Sequence, residues 1–120
     1  DVYKRQVYVY RSYGIHWCAN IVVGPKGQAA AVLLRGGDLV AGREIAELRR
    51  GRTNDLTNGP GKLCEALAIT GDDSGTLLGE GILLEPRPSP AGTRVRSSPR
   101  IGISKATDRP WRFTLEQASA

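Results

Sequence analysis

Hydrophobic and polar positions alternate most clearly at the start of the chain. Val7-Tyr8-Val9-Tyr10 and the longer run from His16 to Val23 are rich in β-branched and aromatic residues, and Gly14 in the short Ser12-Tyr13-Gly14 link can supply a turn. The pattern predicts a β-hairpin with Tyr13 exposed at its tip. Gly24-Pro25-Lys26-Gly27 signals a second turn, and the apolar run from Ala29 to Arg35 predicts a third antiparallel strand ending at the arginine. The spacing then changes: Ile45 and Leu48 stand three apart among charges within Gly42 to Arg50. That predicts a short amphipathic helix whose last turn, Leu48-Arg49-Arg50, suits the negative helix end. Asn58 or Gly59 as cap and Pro60 as first residue predict a second helix, burying Leu63 and Leu67 and stopping at Gly71. Ile82 to Leu84, Arg100 to Ser104 and Trp111 to Leu115 predict later strands, with a Pro-rich turn region from Glu85 to Pro90. There is no internal repeat and the Pro-rich stretch is too short for a domain linker. The expected fold is α+β: one β-rich unit with an antiparallel sheet or open barrel, a protruding β-hairpin and two short helices.

Composition narrows the partners. The 120 residues suffice for one small core, and 17 Lys and Arg against 12 Asp and Glu give a net charge of +5. That balance suits a polyanion such as nucleic acid without identifying one. Cys18 and Cys64 sit in apolar stretches without CxxC spacing, and with one histidine in the chain they predict buried reduced thiols rather than a disulfide or zinc site. No run of about eighteen apolar residues and no signal-peptide pattern occurs, so a soluble, cytoplasmic protein with no membrane partner is expected. Asp1 to Gln6 run straight into the first strand without an initiator Met, which predicts a fragment: 1–6 truncated or non-native, 7–116 the later part of a domain, 117–120 a tail.

Five motifs occur in register: Tyr8-Val9-Tyr10-Arg11-Ser12-Tyr13-Gly14-Ile15-His16-Trp17-Cys18-Ala19-Asn20, Ala31-Val32-Leu33-Leu34-Arg35, Asn58-Gly59-Pro60-Gly61-Lys62-Leu63-Cys64, Pro99-Arg100-Ile101-Gly102-Ile103 and Pro110-Trp111-Arg112-Phe113. In this order and spacing they resemble the alkyladenine (3-methyladenine) DNA glycosylases. The similarity runs from about Val7 to Phe113 and corresponds to the later portion of that family's domain. Two departures stand inside it: Arg11-Ser12, where apolar residues are usual, and Gly36-Gly37, where bulkier residues are common.

An enzyme that cuts the bond between a damaged base and its sugar must first draw the nucleotide out of the duplex. That costs a few kcal/mol, offset by a side chain filling the gap and by stacking on aromatic faces worth roughly 1–3 kcal/mol per base. The resemblance implies that Tyr13 is wedged into the DNA and that Tyr10, Asn20 and Leu33 line the base pocket, with Asn20 disfavouring purines that carry a 2-amino group. Read from the residues alone, Tyr10 is a cross-strand aromatic, Tyr13 a surface turn residue, and Asn20 an amide bonded to its own sheet. Hydrolysis through an oxocarbenium-like sugar needs a placed water and a base. The resemblance gives that base to a glutamate upstream of Asp1, and gives the holding of the water to Arg35 and the backbone at Ile101. Asp38, Glu44 and Glu47 do not match the glutamate, and Arg35 read alone is equally a structural ion-pair residue.

The same resemblance places Ile15, His16, Gly61, Lys62 and Arg100 along the DNA backbone, where imidazole, helix N-terminal amides and cations can meet phosphate. Read alone, these are a solvent-facing strand residue, a capped helix with a solvated lysine, and a loop arginine. Lys62 does not belong to a phosphate-binding loop, because Leu56 and Leu63 stand where a Walker motif needs Gly and Ser or Thr. Arg94 and Arg96 fit a solvated loop or edge strand, and Trp111 and Phe113 fit core strand positions. Two functions are consistent with the chain. One is a monomeric, cofactor-free monofunctional glycosylase of base-excision repair, acting on double-stranded DNA with alkylated or deaminated purines, bacterial in type and nucleoid-associated in use. The other is a non-catalytic basic module that binds nucleic acid.

Overall fold

The computed structural model describes residues 6–12, 14–23, 30–85, 91–98 and 112–117, in two units, Asp1–Leu84 and Glu85–Ala120. In the first, β1 (Val7–Ser12) and β2 (His16–Val23) form the expected antiparallel hairpin, with Tyr8 opposite Asn20, Tyr10 opposite Cys18 and Ser12 opposite His16. The turn closes where the Ile15 amide donates to the Ser12 carbonyl at 3.1 Å, and Gly14 takes φ +69°, a conformation that costs glycine nothing. Tyr13 lies outside the described residues. β3 (Ala30–Leu33) adds to the free side of β2, Asn20 opposite Leu33. The strand ends two residues before the expected Arg35, although the Leu34 amide still donates to the Ala19 carbonyl at 2.9 Å.

Successive side chains of a strand point to opposite faces, so this register sorts the sheet. Val7, Val9, Ala19 and Ile21 are buried on one face with Cys64 and Ile69, and Trp17, Leu34, Leu78 and Ile82 pack around them. The outer edge of β1 is covered by Ser74 to Leu77: the Val7 amide donates to the Thr76 carbonyl, the Gly75 amide to the Val7 carbonyl, and the Val9 amide to Ser74 Oγ.

The helices are α1 (Arg43–Arg50) and α2 (Pro60–Leu67). Pro60 opens α2 after an extended Gly59, as expected, but the helix ends at Ala68 in the left-handed region (φ 56°) rather than at Gly71, and Leu67 is 45% exposed. The Ile69 amide closes that end on the Cys64 carbonyl, turning Ile69 into the core. Gly71 starts a 3-10 turn (Gly71–Asp73) capped by Thr70 and Asp73. For α1 the expected apolar face is not the buried one. Ala46 packs with Leu56, Ala66 and Leu39, while Ile45 and Leu48 are exposed. The arginines explain the choice: Arg49 Nη1 donates to the Ala66 carbonyl at the end of α2, and Arg50 binds Glu65 Oε1 and the Asp55 carbonyl. They serve the neighbouring helix as well as the end of their own.

Ile82 to Leu84 form no strand; Ile82 packs on the core while Leu83 and Leu84 are exposed. In the second unit, β4 (Thr93–Ser98) pairs antiparallel with β5 (Arg112–Gln117). Arg94 and Arg96 therefore lie on a strand, and Phe113, expected in a core, is 66% exposed on this two-stranded ribbon. Arg100 to Ser104 and Trp111 lie outside the described residues. The whole is α+β with two antiparallel sheets, and among the described residues no helix is long and apolar enough to cross a membrane.

The segment after β3 is held by close backbone approach. The Gly37 amide donates to the Thr57 carbonyl, buried Thr57 returns its hydroxyl to the Gly37 carbonyl, and a Cβ on Gly36 would stand 2.8 Å from the Thr57 carbonyl oxygen. A Cβ on Gly37 would meet nothing within 4 Å. Gly36→Ala is therefore expected to cost about 1–3 kcal/mol in urea denaturation and Gly37→Ala less than about half a kcal/mol. Equal effects would refute this account of the contact.

Candidate functional site

The face of the first sheet turned away from the core brings together the residues expected in the base pocket. Tyr8 and Tyr10 alternate onto it, 50% and 39% exposed, with ring centroids 5.8 Å apart and planes inclined by 31°. Asn20 stands opposite Tyr8 on one side and opposite Leu33 on the other, so Tyr10, Asn20 and Leu33 share this face. Asn20 is 5% exposed, and its Nδ2 donates to the carbonyls of Tyr8 at 3.2 Å and Cys18 at 3.4 Å. The amide is thus bonded to its own sheet, and that bonding fixes its side chain on the aromatic face. Arg35, two residues past the end of β3, lies near enough to this face for its charge to act on Cys18.

Cys18, a buried thiol, stands opposite Tyr10 on this same face. Burial pushes its pKa up, opposed by a side-chain hydrogen bond with Tyr10, the positive charge of Arg35 and a side-chain hydrogen bond with Ser12. The signal was present in the sequence, since a turn joining Ser12 to His16 sets Tyr10 opposite Cys18. Cys64, on the core side, is also raised by burial, opposed by a backbone hydrogen bond at Ala19 and reinforced by Cys18 and Asp73. Both thiols are free and buried.

The residues expected along the DNA backbone also converge. Ile15 is 69% exposed at the hairpin turn and His16 is exposed beside it. Gly61, in the first turn of α2, presses against His16: a Cβ there would come 2.9 Å from His16 Cβ and 3.2 Å from Nδ1. The helix start, with Lys62 half-buried, thus abuts the first residue of β2. Tyr13, Arg100 and Ile101 lie outside the described residues. A cavity of about 420 Å³ lined by Gln6, Val7, Tyr8, Val22, Ala30, Ala31, Ser74 and Gly75 opens at the opposite end of the hairpin. It contains none of Tyr10, Asn20, Leu33 and Arg35, so the candidate site is an exposed aromatic shelf rather than that cavity.

Comparison with known proteins identifies the family. The model of the methylpurine-DNA glycosylase family matches residues 3–119. A protein of Frankia casuarinae is 48% identical over 124 residues, covering 92% of this chain and 58% of its own length. One of Agrobacterium fabrum is 49% identical over 112 residues, and one of Mycobacterium tuberculosis 48% over 119, each covering 92% of this chain and 56% of its own length. All three carry the name "Putative 3-methyladenine DNA glycosylase". This chain thus spans a little over half the length of the curated relatives it matches.

Burial of the two thiols has a measurable consequence. A raised pKa lowers the thiolate fraction at any given pH, and the thiolate is the nucleophile. Iodoacetamide at pH 8 is expected to leave Cys18 and Cys64 unmodified in the folded chain over a time that alkylates both in urea. Mass spectrometry reads the result, and rapid native labelling of Cys64 would show that it is not buried.

Proposed function

The chain belongs to the methylpurine-DNA glycosylase family, and from that membership we propose that it carries the DNA-gripping and base-receiving part of a 3-methyladenine DNA glycosylase of base-excision repair. The observation that carries this reading is the single sheet face holding Tyr10, Asn20 and Leu33, with the charge of Arg35 acting on Cys18 there. An exposed ring on a strand braced by its neighbours suits a flipped base, which stacks on an aromatic face at a gain of roughly 1–3 kcal/mol. Asn20, with its amide nitrogen tied to two carbonyls, is a stiff wall beside that ring and suits discrimination by the base edge. Tyr13, between Ser12 and Gly14 in sequence, is the proposed wedge that fills the vacated space.

In the proposed reaction a water oxygen bonds to the sugar C1′ as the N-glycosidic bond breaks. The departing purine takes the bonding electrons, and the water gives its proton to a general base. Arg35, with the backbone at Ile101, is assigned to holding that water, and Arg35's charge also suits the electrons leaving with the base. None of the matched motifs supplies the general base; the family places a glutamate there, outside the matched segment. Ile15, His16, Gly61, Lys62 and Arg100 are assigned to phosphate contacts, consistent with the convergence of His16 and α2. The partner is a duplex carrying an alkylated or deaminated purine. The chemistry as written uses no metal or organic cofactor.

A single-turnover assay on duplexes with one hypoxanthine or ethenoadenine tests the proposal. The 120-residue chain is expected to bind DNA weakly and release little base, and the same sequence within a full-length family domain is expected to release it. There, Arg35→Ala should slow cleavage by about 10²-fold with binding little changed, whereas Tyr13→Ala should weaken the flipped complex. No release by the full-length form would support a non-catalytic DNA-binding module instead. Full-rate release by the short chain would refute the assignment of the general base to another segment.

A further inference from the structure

We infer that Arg11 is a further DNA-phosphate contact, presented by the Trp17 ring on the face of the hairpin opposite Tyr10; the inference rests on the DNA-binding reading above. Arg11 pairs with Trp17 across the β1–β2 ladder, and its guanidinium carbon lies 5.0 Å from the ring centroid. Trp17 is itself fixed from below, because a Cβ on Gly71 would come 2.8 Å from Trp17 Cη2. Arg11 and Trp17 occupy the last turnward pair of the hairpin before Ser12 and His16, with Gly71 against the six-membered part of the Trp17 ring. The cation–π contact restrains the guanidinium, and among the described residues no hydrogen bond or ion pair uses its N–H donors.

Four other arginines of the first unit bond to neighbouring groups. Arg43 donates to the Thr53 carbonyl, Arg49 to that of Ala66, Arg50 binds Glu65 and the Asp55 carbonyl, and Arg52 binds Asn54 and Asp55. Arg11 is exposed, and among the described residues neither of the two ion pairs involves it. Of the acids following Gly71, Asp73 gives its carboxylate to the Thr70 amide, and Asp72 forms no ion pair with Arg11. A guanidinium with free edges on an aromatic platform matches two oxygens of a phosphodiester. A hairpin whose tip enters a duplex groove has a phosphate backbone on each side. Tyr10 faces one side, and Arg11, one strand position on, faces the other.

The test compares the 120-residue chain with Arg11→Met, which keeps an apolar cover on Trp17 but loses the charge, and Arg11→Lys, which keeps the charge. Binding to an undamaged duplex is followed by fluorescence anisotropy from low to high salt, beside the melting temperature of each protein. Arg11→Met is expected to melt with the parent, to bind about threefold to tenfold more weakly at low salt, and to lower the slope of log K against log salt by about one. Arg11→Lys is expected to keep the parental slope. If the parent binds with a clear salt dependence and Arg11→Met has the same slope, the Arg11 contact is wrong and the DNA reading stands. A fall in melting temperature that accounts for the affinity loss in both variants would assign Arg11 to stiffening the hairpin and overturn the contact. A parent that binds no DNA at any salt would overturn both.

Discussion

Val7, Val9, Ala19 and Ile21 can be buried together only if β1 and β2 pair in the register that sets Val7 opposite Ile21 and Val9 opposite Ala19. The same register places Tyr8 opposite Asn20 and Tyr10 opposite Cys18, because the side-chain period of a strand is two. Core and candidate site are thus two faces of one constraint. A slip by one residue would turn four tyrosine and asparagine-face positions into the core and expose the valines. The apolar side therefore enforces the arrangement of the polar side, and the hydrogen bonds of Asn20 to the Tyr8 and Cys18 carbonyls are made possible by burial behind them.

What surrounds this hairpin is held by close approach of backbone to neighbouring groups, and glycines stand at the contacts. Gly36 lies on the Thr57 carbonyl, Gly61 on His16 and Gly71 on Trp17. Each joins a different segment to the sheet or to its outgoing strand: the turn before α2, the start of α2 itself, and the 3-10 turn after it. The pairing of Gly36 with Gly37 looked like a departure from the family's bulkier residues. The first of the two is accounted for by the missing room for a Cβ, while the space at the second is open. Arg11, the other departure, has an aromatic partner directly across the ladder in Trp17. Gly36 and Arg11 thus have local physical counterparts within this chain, and Gly37 has no structural explanation.

Much of the fold was legible where one signal dominated. The hairpin followed from two β-favouring runs around a glycine turn, and the start of α2 from Gly59-Pro60. The failures have separate causes. In α1 the apolar spacing of Ile45 and Leu48 marked the wrong face, because burying small Ala46 lets Arg49 and Arg50 reach the carbonyls and carboxylate of α2 and the following turn. The end of α2 was misplaced because the helix stops on a left-handed Ala68, a conformation more often given to Gly, so Ile69 can turn inward. Phe113 was assigned to a core by its hydrophobicity, yet it stands exposed on the β4–β5 ribbon.

The sequence by itself determined the strand periodicity, the turn positions, the basic charge and the ordered motifs by which the family is recognised, because each depends on residues close together along the chain. Only the tertiary structure decided that Tyr10 and the charge of Arg35 act on Cys18, that Gly61 supports His16, and that Arg49 and Arg50 serve the other helix. Those relations join residues distant in sequence, and they arise from how the buried faces pack rather than from any local preference.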